Sequence, residues 1–115
     1  TLIRSVKDRG ATPILLNLPP LDAPSFFKQI IKGSSASKIK NWLGDVHRIY
    51  RWQERYSLEV EALSRKWNCP MVDIRSALLD REPLQKLLCK DGMHPNKEGH
   101  KFIFEAIKKK LQTFF

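Results

Sequence analysis

Asp91 and His94 stand three residues apart in the stretch Lys90-Asp91-Gly92-Met93-His94-Pro95-Asn96. At that spacing, within one turn, a carboxylate and an imidazole can contact each other. A carboxylate so placed holds the ring in one tautomer, and a ring so held removes the proton from a hydroxyl nucleophile in acyl transfer. Gly92 gives the turn its backbone freedom, and Pro95 biases His94 toward extended geometry. His94 is therefore a candidate general base and Asp91 its orienting partner. Spacing alone equally allows a bland reading, in which the two side chains merely hydrogen-bond each other in a turn leading into a helix.

The other reactive side chains are less ordered in their spacing. Cys89, Asp91, His94 and His100 fall within twelve residues but match no standard zinc pattern, so no metal and no cofactor is expected. Nothing near Cys89 except the imidazole would stabilise a thiolate. His100 reads as packed or solvent-facing near the start of the last helix, and His47 as the surface of a basic helix. Cys69 and Cys89 do not make a disulfide framework. Cys69 abuts an apolar run and reads as core, while a single bridge between the two cysteines stays open. Asp22 and Asp73 sit at strand exits, where ligands gather in open α/β sheets, and are equally suited to turns. Ser34, Ser35 and Ser37 lie in a loop without a strand-to-turn signature, and Ser57, Ser64 and Ser76 are in helical or turn context. No nucleophile is therefore assigned within this chain.

These residues need elements to position them. Leu2, Ile3 and Val6 fit the last turns of a helix that Gly10 ends. Pro13-Ile14-Leu15-Leu16-Asn17-Leu18 is a nearly continuous apolar run, suited to a strand buried on both faces and stopped by Pro19-Pro20. Residues 21–40 read as a long connection with a short helix at Ser25–Ile31 and a small, polar stretch Gly33-Ser34-Ser35-Ala36-Ser37. Val46, Ile49, Trp52, Tyr56, Val60, Leu63 and Trp67 step by three and four and predict a long helix with one apolar stripe. Asn68-Cys69-Pro70 breaks it. Met71-Val72-Asp73-Ile74 predicts a second short strand, followed by a helical turn at Ser76–Leu79 and a short helix at Pro83–Leu88. Asn96 is a good N-cap for a last helix whose stripe is Phe102, Ile103, Ala106, Ile107, Leu111 and Phe114.

Helices interleaved with two apolar strands predict an α/β fold with a parallel sheet. Two such strands want paired neighbours, so the expectation is a single partial domain over residues 1–115, with part of the sheet supplied from elsewhere. The chain opens mid-helix without an initiator methionine, which agrees with a piece of something larger.

Asp91-Gly92-Met93-His94-Pro95-Asn96, followed by Glu98-Gly99-His100 and an amphipathic helix, closely resembles the terminal block of the SGNH, or GDSL-like, hydrolases. The strand ending in Leu18-Pro19-Pro20, the Tyr56–Trp67 helix and the Val72-Asp73-Ile74 strand sit where that family has its late elements. The resemblance spans nearly the whole chain but only the C-terminal half of the family's domain. It implies part of a three-layer α/β/α, flavodoxin-like fold with the N-terminal half absent. It implies hydrolysis of an ester, thioester or acylated sugar without a metal, with His94 as base and Asp91 as its partner. Leu18, Pro19 and Leu21 would border the acyl pocket. The family's glycine-aspartate-serine block is missing, as are the glycine and asparagine blocks that complete its oxyanion hole. Gly44-Asp45-Val46 has valine where serine is required and precedes a long helix.

Composition bounds the alternatives. The chain has 115 residues, 42% hydrophobic and 29% charged, with 21 basic and 12 acidic residues and a net charge of +9. This is the composition of a folded domain, and no run of about 18 apolar residues predicts a membrane span. The charge favours anionic partners, but the basic residues are spread over helices and no nucleic-acid-binding signature accompanies them. The expected partners are thus an ester or acylated carbohydrate, and either a missing N-terminal half or a second chain that completes the sheet. Nothing in the sequence assigns a compartment. The alternative reading is a non-catalytic interaction module, a degenerate hydrolase half that associates through its open sheet edge.

Overall fold

Several elements begin or end at residues suited to the task. In the computed structural model, which describes residues 1–32 and 35–114, the elements are α1 (Leu2–Asp8), β1 (Leu15–Leu16), α2 (Ala23–Ile30), α3 (Ala36–Leu43), α4 (Arg48–Trp67), β2 (Met71–Val72), α5 (Ile74–Leu79), a 3-10 turn (Leu84–Leu87) and α6 (Lys97–Leu111). The Ser35 side chain accepts from Lys38 N–H to start α3. Asn68, in the left-handed region at φ 48°, ends α4. The Asn96 side chain accepts from Gly99 N–H to start α6, Glu98 stands in its first turn and Lys108, Lys109 and Lys110 in its last, each charge complementing the helix dipole.

The strands β1 and β2 pair in parallel, Leu15 against Met71 and Leu16 against Val72, and make a two-stranded sheet. The protein is thus mixed α/β and mostly helical. Two apolar clusters build the core. Val72, Ile74, Leu78, Leu87 and Ile103 form one, joined by Ile14, Leu84 and Phe102. Leu21, Ala23, Leu43 and Ile49 form the other, joined by Phe26, Phe27 and Ile39. The Cα radius of gyration is 16.5 Å. A closed domain of this length would have about 13 Å, so the chain is more extended than a self-contained core requires.

Several expectations need correction. The Pro13–Leu18 run pairs over Leu15–Leu16 alone, and Leu16 is 37% exposed. Among the described residues β1 pairs with β2 alone, so its second edge carries no strand. Likewise β2 stops at Val72, because Asp73 turns to cap α5. The polar stretch at 33–37 lies partly outside the described residues, at Gly33 and Ser34, but Ser35 caps α3 and Ser37 lies within it. This helix escaped the sequence reading because its apolar residues, Ile39, Trp42 and Leu43, are few. The expected stripe of α4 is only half inward: Tyr56 is 69% exposed and Trp52 is exposed beside Trp42, while Ser57 is 1% exposed. Phe114 lies beyond α6 and is exposed rather than buried.

Leu78 is fully buried within the first cluster. Leu78→Ala is expected to lower unfolding stability by about 3 kcal/mol, seen as a drop in urea midpoint at unchanged m-value. A midpoint shift within error would show that this cluster does not hold the α5–α6 unit together.

Candidate active site

The chain between the 3-10 turn and α6 folds back on itself as a narrow ribbon. Leu88 and Pro95 face each other in an antiparallel bridge. Cys89 N–H donates to His94 C=O at 2.7 Å, Asn96 N–H to Leu87 C=O at 2.9 Å, and Gly92 N–H closes the tip on Cys89 C=O at 3.0 Å. The Asn96 amide then locks the base of the ribbon. Its Nδ2 donates to Lys86 C=O at 2.7 Å and Leu88 C=O at 3.1 Å, while its Oδ1 accepts from Gly99 N–H at 3.0 Å. Only a side chain with donors and an acceptor does both, so Asp here would lose the two donations. Gly99 lets α6 approach: a Cβ there would collide with the Leu87 carbonyl.

At the tip, Asp91 is surrounded by donors. Oδ1 accepts from Met93 N–H at 2.9 Å and His94 N–H at 3.1 Å, and Oδ2 meets His94 Nδ1 at 2.5 Å. The ring contact first, and the two peptide N–H groups after it, hold the Asp91 carboxyl down at about 2. An ionised carboxylate only accepts, so in this contact Nδ1 is the donor. The His94 side chain is 65% exposed, against 24% for Asp91. The carboxylate thus fixes the ring through Nδ1, the arrangement that acid–base chemistry with an imidazole uses.

The tip is also held from outside. Asp22 N–H donates to Gly92 C=O at 2.8 Å. Gly92 has φ +71°, and a Cβ on it would lie 2.7 Å from Asp22 C=O, 2.7 Å from Ser25 Cβ and 2.9 Å from Phe26 N. The acid–histidine turn is therefore wedged against the start of α2, in a way no residue other than glycine permits.

The structure sorts the remaining candidates. Leu21 is 6% exposed and packs in the second core cluster with Leu43 of α3 and Ile49 of α4. Leu18 and Pro19 are half-buried, with their backbone engaged by α4 and Arg75. A cavity of about 180 Å³ lies behind the ribbon, lined by Asp22, Ser25, Gln85, Leu88, Cys89, Lys90 and Gly92, and does not take in His94. A larger surface cavity, about 580 Å³ and lined by residues of α5 and α6, does not take in the pair either. Asp22 binds the Ser25 hydroxyl at the start of α2, and Asp73 caps α5 by accepting from Ser76, so both act as turn residues. Burial pushes the Asp73 carboxyl up, but hydrogen bonds from Ser76 and Asn17 outweigh it and hold the group below its usual value. His47 and His100 are exposed, and both cysteines are free, Cys69 buried and Cys89 exposed.

Each described serine is occupied by a partner other than His94. Ser5 donates to Thr1 C=O, Ser25 to Asp22 and Ser64 to Cys69 C=O; Ser35 pairs with Ser37, Ser57 receives Leu18 N–H, and Ser76 donates to Asp73. Ser34 lies outside the described residues. Among the described residues no group of three or more His, Cys, Asp and Glu is placed to hold a metal ion, and no helix is long and apolar enough to cross a membrane. No protein-family model matches the chain, and no curated protein matches it either.

Sequence reasoning missed a buried polar cluster beside the strand exit, made of Asn17, Gln53, Glu54, Ser57 and Arg75. Its visible signal was Asn17, the one polar residue inside an apolar run, with Arg75 directly after the second strand.

Two outcomes are expected. The Asp91 carboxyl is depressed from 3.8 to about 2. Its contribution to stability is therefore complete above about pH 4 and lost as pH falls toward 2. An NMR titration of its carboxyl carbon should have a midpoint near 2, and a midpoint at 3.8 or above would mean the contacts to Oδ1 and Oδ2 are not made. Gly92→Ala should release the turn from Asp22, detected as loss of protection at the Asp22 amide; an unchanged exchange rate would show that the wedge is not tight.

Proposed function

We propose that this chain is the acid–base half of an SGNH-type serine ester hydrolase, with His94 as general base and Asp91 as its orienting carboxylate. The observation that carries the reading is the 2.5 Å contact of His94 Nδ1 with Asp91 Oδ2, made by a ring whose side chain is 65% exposed. The DGMHPN stretch that forms this turn is the specific part of the resemblance. A three-layer α/β/α sandwich is the finer architecture proposed, and the uncovered edge of β1 and the extended form of the chain fit a sheet completed by further strands. The nucleophile belongs, on this reading, to the polypeptide that completes the sheet.

The chemistry follows from the tautomer. A serine hydroxyl attacks the ester carbonyl carbon while His94 Nε2 takes its proton. The imidazolium so formed is stabilised by Asp91, which stays ionised. The tetrahedral intermediate expels the alcohol, which receives the proton from Nε2, and leaves an acyl-serine. Water then repeats the sequence: Nε2 removes its proton, and the serine oxygen takes that proton back as the carboxylic acid leaves. Donors for the oxyanion come from the completing polypeptide as well. The substrate class proposed is a small ester or an acylated carbohydrate.

In the protein that joins this chain to its nucleophile, His94→Ala should lower kcat/KM for p-nitrophenyl acetate by about 10³-fold or more. Near wild-type turnover by that variant would exclude His94 as base. A second reading rests on the same unpaired edge of β1: a non-catalytic module that associates through it. On that reading the 115-residue protein is a folded dimer, and His94→Ala changes no ester hydrolysis in any assembly; sedimentation as a stable monomer would count against it.

A further inference from the structure

The segment leaving β1 is held by buried side chains rather than by a ladder. Asn17 N–H donates to Val72 C=O at 3.3 Å, the last bond of the sheet. From there Leu18 N–H donates to Ser57 Oγ at 3.3 Å, Leu18 C=O accepts from Arg75 Nη1 at 3.3 Å, and Pro19 C=O accepts from Gln53 Nε2. Arg75 is the hub. Its backbone N–H donates to Asn17 Oδ1 at 3.1 Å, Nη1 also reaches Gln53 Oε1 at 2.6 Å, and Nη2 pairs with Glu54 Oε2 at 2.6 Å. The guanidinium lies 5.3 Å from the Tyr50 ring centroid. Arg75 is 5% exposed and Asn17 2%.

A buried ion pair is a poor source of net stability, because desolvation offsets much of the attraction. What this cluster supplies is direction: a rigid fork that fixes two consecutive peptides in one position. Pro19 and Pro20 then limit the backbone torsions of the next residues, and Pro20 and Leu21 are buried. The segment so stiffened ends at Asp22, whose N–H holds Gly92 C=O at 2.8 Å. Gly92 is two residues from His94.

We propose that Arg75 is a positioning residue for the acid–histidine turn, acting through the Asn17–Asp22 strut and the Asp22–Gly92 hydrogen bond. The inference rests on the reading of His94 as a working base, and it names what keeps that base in register with the sheet. Arg75 itself touches neither His94 nor Asp91. Its loss would leave the Asp91–His94 contact chemically possible but free the turn to move relative to β1 and β2.

The test uses the protein without substrate. In the wild type, the His94 Nδ1 proton, held between ring and carboxylate, should give a downfield NMR resonance, and the Asp22 amide should be protected from exchange. Arg75→Met keeps an unbranched, apolar stem of similar reach to the arginine's own and removes the fork. It should retain the far-UV circular dichroism, speed Asp22 exchange about tenfold, the scale of one net hydrogen bond, and broaden or abolish the His94 signal. A folded Arg75→Met protein with both signals unchanged would overturn the proposal. Should Arg75→Met fail to fold, Gln53→Leu decides, since it strips Pro19 C=O and Arg75 of a partner without removing a charge. The same two signals should move, and their constancy would overturn the proposal equally. Undiminished ester hydrolysis by His94→Ala would instead remove the hydrolase reading while leaving this mechanical coupling intact.

Discussion

Peptide groups that leave a short strand must be satisfied by something, and in this protein one buried guanidinium organises that task. Without the Arg75 guanidinium, Leu18 C=O, Gln53 and Glu54 would face one another with no cation between them. Unmet polar groups in a low-dielectric interior cost more than the bonds themselves return in water, so the cluster is satisfied as a whole or not at all. Among the described residues it is satisfied: no buried side-chain nitrogen or oxygen lacks a partner. The strand exit, the turn into α2 and the seat of the acid–histidine turn all inherit their positions from it.

The site is built on two length scales. Asp91 and His94 find each other locally, through three contacts to one carboxylate within four residues. That local turn is then aimed by distant ones. Asn96 joins it to the 3-10 turn and α6, Gly99 sets how near the helix comes, and Asp22 fastens its tip to the start of α2. The orientation of the ring follows from Asp91, and the placement of the turn from packing across about seventy residues of sequence, from Asp22 to Gly92.

Among the described residues the sheet has two strands, each with one unpaired edge. Leu16 is exposed in a strand whose neighbours in sequence are apolar, and the radius of gyration exceeds that of a closed chain. An apolar strand with one unpaired edge is a docking edge by default, since its free N–H and C=O groups match another strand better than they match water-exposed side chains. On α3 and α4, Trp42 and Trp52 are also exposed, with ring centroids 5.5 Å apart.

Local chemistry was legible in the residues themselves. The spacing of Asp91 and His94, Asn96 as a cap, the breaker at Asn68 and the apolar stripe through Ile103 and Ile107 each depend on neighbours within a few positions, where sequence distance and spatial distance agree. The strand lengths, the helix α3, the outward turn of Tyr56 and the burial of Leu21 were not legible, because each depends on which partner reaches the residue across the fold. Asn17 and Arg75 are the clearest case. Fifty-eight positions apart in the chain, they read as unrelated polar residues, and only the parallel pairing of β1 with β2 sets them side by side. Sequence alone therefore determined the acid–histidine turn, and tertiary structure decided what holds it, because a carboxylate can find an imidazole within one turn but a backbone can be fixed in space only by elements that pack against it.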